Sequence, residues 1–288
     1  MRRAVSLLLL VAAVLLVGCG SHFQYVKLAP KSSVHSIVSL SPGLSEVIGG
    51  TAPQLLKGRT QSCDWPQSIL SVPVVGSVKP DYEAIKRIGP DLIVYDASLY
   101  SPSDIDKIKG LGFDTMEFDA KTVDQFIDEL FKFGNVVAQQ TNISDYVDRI
   151  RVEEGDAKGD PPQPTPKVAV VMPGGGGSMM IAGTQGFVAD VVKICGGDIV
   201  GPSTDKFVPL NAETLVSDDP DVILIPTSSK TVNADVPAVL NDPKLQSVSA
   251  VKNKKVVALD QDVVLREGDR VDKFINAVHL ALTAKAGH

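Results

Sequence analysis

The chain has 288 residues, 44% hydrophobic and 22% charged, which suffices for two cores of ordinary size and is too apolar for a disordered chain. A net charge of −6 without any basic run excludes an electrostatic nucleic-acid binder. Aromatic residues make up only 5%, with Trp65 the single tryptophan, and this limits ligands that depend on stacking.

Arg2 and Arg3 precede an unbroken apolar run from Ala4 to Val17, closed by Leu16-Val17-Gly18-Cys19. This is the layout of a secretory signal peptide, and its last four residues resemble a lipobox. The run is shorter than the roughly 20 residues of a membrane-spanning helix. The expectation is a signal peptide over residues 1–18, diacylation of Cys19, and a polar tether over residues 19–33 that holds the body outside a membrane.

Ser36 to Leu40 reads as a buried strand, with Ser41-Pro42 turning into a helix over Gly43 to Ile48. Leu55 to Thr60 and Val72 to Val75 follow as strands, then a helix from Asp104 to Leu111 and a strand from Asp114 to Phe118. Between them lies Tyr82 to Ser98, which answers Ala212 to Ser228 without a gap. Glu83 and Glu213, and Pro90-Asp91 and Pro220-Asp221, are each 130 residues apart. Each copy is a short helix with an early Glu, a Pro-Asp turn, an apolar strand and a small polar end. Pro ends the helix because it lacks a backbone N–H to donate. Two similar α/β lobes are expected, each a mostly parallel sheet flanked by helices, with strand ends facing one crevice.

Thr122-Val123-Asp124-Gln125 matches a capping box, and Phe126, Leu130, Phe133, Val137, Val147 and Ile150 follow at helical spacing, with a weak spot at Thr141-Asn142. Helix over most of Thr122 to Glu154 would reach roughly 45 Å and join the lobes. Gly159 to Pro166 is a Pro-rich linker. Lys167 to Met172 then reads as a strand, Gly174 to Gly177 as a tight loop, Ser178 to Ala182 as a return strand, and Phe187 to Cys195 as a helix. After the second copy come a helix from Pro243 to Val251, a strand from Lys255 to Leu259 and a helix from Val271 to Lys285. The expected boundaries are a first lobe over 34–120, a connecting helix over 121–158, the linker over 159–166 and a second lobe over 167–288.

The Gly174–Gly177 run lacks the Lys-Ser or Lys-Thr of a phosphate loop, so it reads as a turn. Gly183-Thr184-Gln185-Gly186-Phe187 opens a helix; its amides either face the crevice or only cap the helix. The four histidines, His22, His35, His279 and His288, have no ligand spacing, which argues against a free zinc or manganese receptor; no metal site and no cofactor are expected. Ser41, Ser62 and Cys63 are plausible crevice residues, but no histidine is placed to serve them as base, so no catalysis is expected. Cys63 and Cys195 fall in opposite lobes and are expected unpaired. Trp65, between Asp64 and Pro66, either packs its own loop or offers a flat surface at the crevice mouth. Glu83 and Glu213 each favour a helix macrodipole. As an equivalent pair they also suit docking onto a two-fold partner with basic pockets.

Ile37-Val38-Ser39-Leu40-Ser41-Pro42 with Glu46, Asp64-Trp65-Pro66, Val75-Gly76, Glu83 with Pro90-Asp91-Leu92-Ile93-Val94, and Arg266-Glu267-Gly268-Asp269-Arg270 resemble the substrate-binding proteins of bacterial ABC importers. The resemblance runs from about Val34 to the end. It is closest to the helical-backbone class for cobalamin, haem and ferric siderophores, and within it to cobalamin-binding members. It implies two lobes joined by one long helix, a small lobe motion, and Glu83 and Glu213 meeting arginines on a permease dimer. It also implies a monomeric receptor tethered outside the cell membrane, with a corrinoid or iron chelate as ligand. The ligand would meet Ser41 and Pro42, then Ser62, Cys63, Asp64, Trp65 and Ser77. It would also meet Asp96, Ser98 and Tyr100, Thr184 and Phe187, Thr227 and Ser228, and Arg266. The cobalamin-binding members commonly stack aromatics on the corrin; here Ser62, Ser77 and Asp96 stand at such positions, leaving Trp65, Tyr95, Tyr100 and Phe187 nearby. A catecholate ligand would call on Lys79, Lys230 and Arg266.

Overall fold

A computed structural model describes residues 34–77, 79–174 and 178–284. The predicted signal peptide, Cys19 and tether lie outside these residues. The first lobe contains β1 (Ile37–Ser39), α1 (Pro42–Thr51), β2 (Leu56–Thr60), β3 (Val74–Gly76), α2 (Tyr82–Ile88), β4 (Leu92–Asp96), α3 (Pro102–Lys109) and β5 (Asp114–Phe118). All five strands are parallel, in the order β3-β2-β1-β4-β5. Helices cover both faces, so β4 is buried from Leu92 to Tyr95: Leu92 and Val94 enter the main core, while Ile93 and Tyr95 pack with Ile85 and Ile108 on the other side. Strand order reverses between β1 and β4, and a ligand crevice belongs at their carboxyl ends.

The second lobe contains β6 (Lys167–Pro173), β7 (Met179–Ala182), α6 (Phe187–Ile194), β8 (Asp198–Ile199), β9 (Phe207–Pro209), α7 (Ala212–Asp218), β10 (Val222–Thr227), α8 (Val232–Leu240), α9 (Ser249–Lys252), β11 (Val256–Asp260), α10 (Gln261–Val264) and α11 (Val271–Thr283). Its sheet runs β11-β10-β6-β7-β9, with β8 also on β6. β8, β10 and β11 are parallel to their partners, while β7 and β9 pair antiparallel. The return strand after the glycine run is therefore present, closed by the Gly174 N–H donating to the Ser178 carbonyl at 2.7 Å; residues 175–177 lie outside the description. The helix expected over Pro243–Val251 shrinks to α9, because Asp242 takes the N–H of Lys244 into a turn at 2.8 Å. α8 was hidden in the sequence by Pro237, which sits inside it.

The doubled unit is present in both lobes, and its Pro-Asp has a tertiary role. α2 and α7 are capped by Asp81 and Asn211, and both stop in left-handed backbone, at Gly89 (φ 60) and Asp219 (φ 47). Asp91 then accepts the N–H groups of His35 and Ser36 at 2.9 and 3.0 Å. Asp221 accepts that of Lys167 at 2.9 Å. Each Asp thereby fixes the chain as it enters the first strand of its lobe. The His35 and Ser36 hydrogen bonds hold the Asp91 carboxyl below the usual carboxylate range.

The connection differs from the single rod expected over Thr122–Glu154. Helix α4 (Val123–Val136) ends, Ala138 turns left-handed at φ 55, and α5 (Gln140–Gly159) begins. Asp124 and Arg151 meet at 2.7 Å, so α5 folds back beside α4. One helix still crosses between lobes: α5, at 20 residues about 30 Å long. Near its start Asn142 donates to the Thr51 carbonyl at 2.7 Å; near its end Glu153 accepts from Asn276 of α11 at 2.8 Å. The capping box forms in part, with Thr122 accepting the Gln125 N–H, while Gln125 returns to the N–H of Lys121.

Candidate functional site

The lobes are joined at the segment Arg266 to Arg270. Glu46, on α1 and fully buried, receives Arg266 Nη1 at 3.0 Å, Arg270 Nη2 at 2.7 Å and Arg270 Nε at 3.1 Å. Arg266 also reaches Asp64 at 2.8 Å, the Ser62 carbonyl at 2.8 Å and Asp262 at 2.9 Å. That hydrogen bond holds the Asp64 carboxyl low, whereas burial pushes Asp262 up. The backbone closes tightly as well: a Cβ on Gly43 would stand 2.5 Å from the Glu267 carbonyl oxygen, so only glycine fits there. Tyr146 of α5 donates to the Gly268 carbonyl, and Arg149 pairs with Asp269 at 2.9 Å.

Beside this joint a cavity of about 310 Å³ opens between the lobes. Ser98, Ala120 and Lys121 line it from the first lobe, and Phe187, Val188, Phe207, Val264, Leu265 and Glu267 from the second. Its volume lies at the low end of the roughly 300–1,000 Å³ of small-molecule sites. Lys121 spans the opening, paired with Asp119 at 2.9 Å and with Asp205 of the second lobe at 3.5 Å. Asp190 of α6 accepts the Val123 N–H at 2.8 Å, a second tie across the lobes. Glu267 makes no hydrogen bond or ion pair among the described residues, and burial pushes its carboxyl well above the ordinary range, with Asp96, Glu129 and Asp119 adding to the effect and Lys121 opposing it. A second cavity of about 220 Å³ lies on the first lobe, lined by Leu40, Pro42, Thr60, Ser62, Ser77, Leu99 and Tyr100.

The sequence-expected residues divide between these places. Ser98 and Phe187 line the crevice, and Pro42, Ser62, Ser77 and Tyr100 the second cavity. Tyr100 donates to the Leu40 carbonyl, and burial raises its hydroxyl to about 12. The others make contacts within the protein. Ser41 is buried and caps α1. Cys63 is fully buried, its thiol pushed up to about 11, so it cannot meet a crevice ligand. Cys195 is likewise a free, buried thiol, pushed up to about 12. Asp64 and Arg266 hold each other, and Trp65 packs over Arg270 and Lys273 with cation-to-centroid distances of 5.5 and 5.3 Å. Asp96 accepts from the N–H and hydroxyl of Ser98. Thr227 bonds to Asp235, Ser228 to Thr231, and the Thr184 hydroxyl reaches the Pro202 carbonyl at 3.5 Å. Lys121, Phe207, Leu265 and Glu267 were missed. Lys121 follows the end of β5, where the strand-end rule points, and Glu267 lies inside the Arg266–Arg270 motif, between two arginines. Among the described residues no group of three His, Cys, Asp or Glu side chains is placed to hold a metal ion.

Comparison with known proteins supplies a family. The high-affinity heme uptake system protein IsdE of Staphylococcus aureus (strain Newman) is 24% identical over 225 residues, which is 75% of this chain and 74% of the relative. The periplasmic vitamin B12 binding protein BtuF of Vibrio cholerae superposes with a TM-score of 0.73 at 20% identity, covering 86% of this chain and 96% of that one. The periplasmic heme binding protein HutB of Vibrio cholerae gives 0.75 at 19% identity, covering 87% and 100%. Likeness at this level shows a shared two-lobed fold. The model of the periplasmic binding protein family matches residues 37–263, most of the chain, and the chain belongs to that family.

Proposed function

We propose that this protein is the extracytoplasmic substrate receptor of an ABC importer, that it binds a cobalamin-like corrinoid between its lobes, and that it delivers the ligand to a permease dimer. The observation that carries this reading is the cavity at the strand ends, lined from both lobes and walled by Phe187, Phe207, Val264 and Leu265. These side chains offer apolar surface, with Ser98, Lys121 and Glu267 as polar points, the usual make-up of a small-molecule site. Ligand is bound and released without chemistry.

The donor set favours a corrinoid over haem. Haem iron takes a protein axial ligand such as His, Cys, Met or Tyr. Among the residues lining the two cavities the one such group is Tyr100, and its hydroxyl is committed to Leu40. Cobalt in cobalamin brings its own axial ligand, and its periphery is made of amides. Haem is the second reading, favoured by the relative from Staphylococcus aureus named for heme uptake.

Glu83 and Glu213 suit permease docking: both are exposed in the first turn of equivalent helices. Cys19 supplies the lipid anchor. Titration of the purified protein with cyanocobalamin, haem and ferric siderophores tests the receptor reading; saturable micromolar binding of cyanocobalamin supports it, and failure of all three overturns it.

A further inference from the structure

The joint that fastens the lobes also aims one side chain at the ligand space. Arg266 and Arg270 are both tied to Glu46, Gly268 is held by Tyr146, and the Glu267 carbonyl lies against Gly43. With neighbours on both sides pinned, the Glu267 backbone is fixed at the cavity it lines, and Asp96, Lys121, Glu129 and Asp119 of the facing elements act on its carboxyl. Nothing among the described residues pairs with it. The charged groups around it are mostly negative: Asp96 at the end of β4, Asp119 and Lys121 after β5, Glu129 on α4, and Asp205 and Lys206 before β9. Lys121 is already shared between Asp119 and Asp205.

We propose that Glu267 sets the ligand class of the crevice, selecting ligands rimmed by uncharged amides against ligands rimmed by carboxylates. A carboxylate rim would be brought beside a side chain that can only share a proton with it or repel it. An amide rim offers a carbonyl to accept a hydrogen bond from the protonated acid and an N–H to donate to the ionised one. Because burial raises the Glu267 carboxyl, the acid is uncharged at low pH and ionises as pH rises through its folded value. Discrimination against carboxylates therefore grows with pH. This inference rests on the receptor reading, and it goes further by naming one residue and the chemistry it selects.

The test compares ligands that share a macrocycle and differ only at the rim: haem and its diamide, with cyanocobalamin as a second amide-rimmed probe. Affinities are measured for the wild-type protein and for Glu267→Gln across the whole pH range in which both stay folded. Wild type is expected to favour diamide over haem by about tenfold or more, with the ratio rising with pH. Glu267→Gln, which keeps shape and hydrogen bonding, is expected to narrow the ratio about tenfold and flatten its pH dependence, the size of one charged contact. An unchanged ratio in Glu267→Gln, or a wild-type preference for haem, overturns the proposal while leaving the receptor reading intact. Binding of none of the three probes by folded wild type removes the receptor reading and this proposal together. Thermal unfolding of the variant separates a folding defect from a change of selectivity; if Glu267→Gln does not fold, Glu267→Asp, which shortens the acid, is expected to weaken the amide-rimmed probes more than haem, and equal weakening counts against the proposal.

Discussion

Replacing Glu46 by Ala removes the one carboxylate that both arginines of the joint share. Glu46 is fully buried and accepts three N–H groups, from Arg266 at 3.0 Å and from Arg270 at 2.7 and 3.1 Å. Arg266 keeps Asp64 and Asp262 as partners, but among the described residues Arg270 keeps only the Asp262 carbonyl at 3.4 Å and the face of Trp65. Removing one partner of a buried ion pair costs about 3–5 kcal/mol, because the other charge stays buried without compensation. Set against a typical stability of about 5–15 kcal/mol, that is a large fraction. For a chain of this size it lowers Tm by about 6–20 °C. Calorimetry and urea unfolding measure the loss, and Glu46→Leu with Arg270→Met is expected to recover part of it by removing both charges. A loss under about 1 kcal/mol for Glu46→Ala would refute the claim that this ion cluster fastens the lobes.

Three further predictions follow from the same geometry. A carboxyl raised in the folded state favours folding at low pH and loses that contribution as pH rises through its folded value. Burial raises Asp269 to about 6 and also raises Glu267, Asp96 and Asp262, so Tm is expected to climb between about pH 7.5 and 5. Asp64 and Asp91 are depressed by their hydrogen bonds, and their contribution is lost on further acidification, so Tm turns down below about pH 4; a monotonic curve across this range contradicts the assignment. The double variant Glu83→Ala with Glu213→Ala should bind ligand normally yet fail in uptake by cells carrying the importer, and undiminished uptake removes the docking role. Cys63 and Cys195, fully buried with raised thiols, should resist a thiol reagent at about pH 8 until denaturant is added, whereas rapid native labelling would show that the loop or helix opens.

Local pattern carried much of this fold. The doubled helix–turn–strand was legible because its parts sit within one short stretch: an early Glu, a helix stop, Pro-Asp and an apolar strand. The partners of Asp91 and Asp221 were not, since each reaches about fifty residues back to the chain entering another strand. The break at Ala138 escaped because α4 and α5 bury their apolar faces in the same core, so the spacing of hydrophobic residues survives the turn. The site was harder still. Arg266 looked like a free ligand group, and its engagement by Glu46, 220 residues away, is a tertiary event that no spacing reveals. Trp65 was open to two readings; it lies over two cations of the second lobe and stays 41% exposed. Ser98, after the end of β4, and Lys121, after the end of β5, both line the crevice cavity, where the strand-end rule points.

The central claim is that ligand sits between the lobes, and Val188→Trp tests it most directly. Val188 lines the crevice cavity and is only partly buried, at the edge of the main core, so the larger side chain is expected to take up ligand space. With folding verified by Tm, cyanocobalamin titrated into wild type is predicted to bind with micromolar or tighter affinity, and into Val188→Trp at least about tenfold more weakly, a loss of about 1.4 kcal/mol. Equal affinity in the two proteins would place the ligand elsewhere and contradict the account.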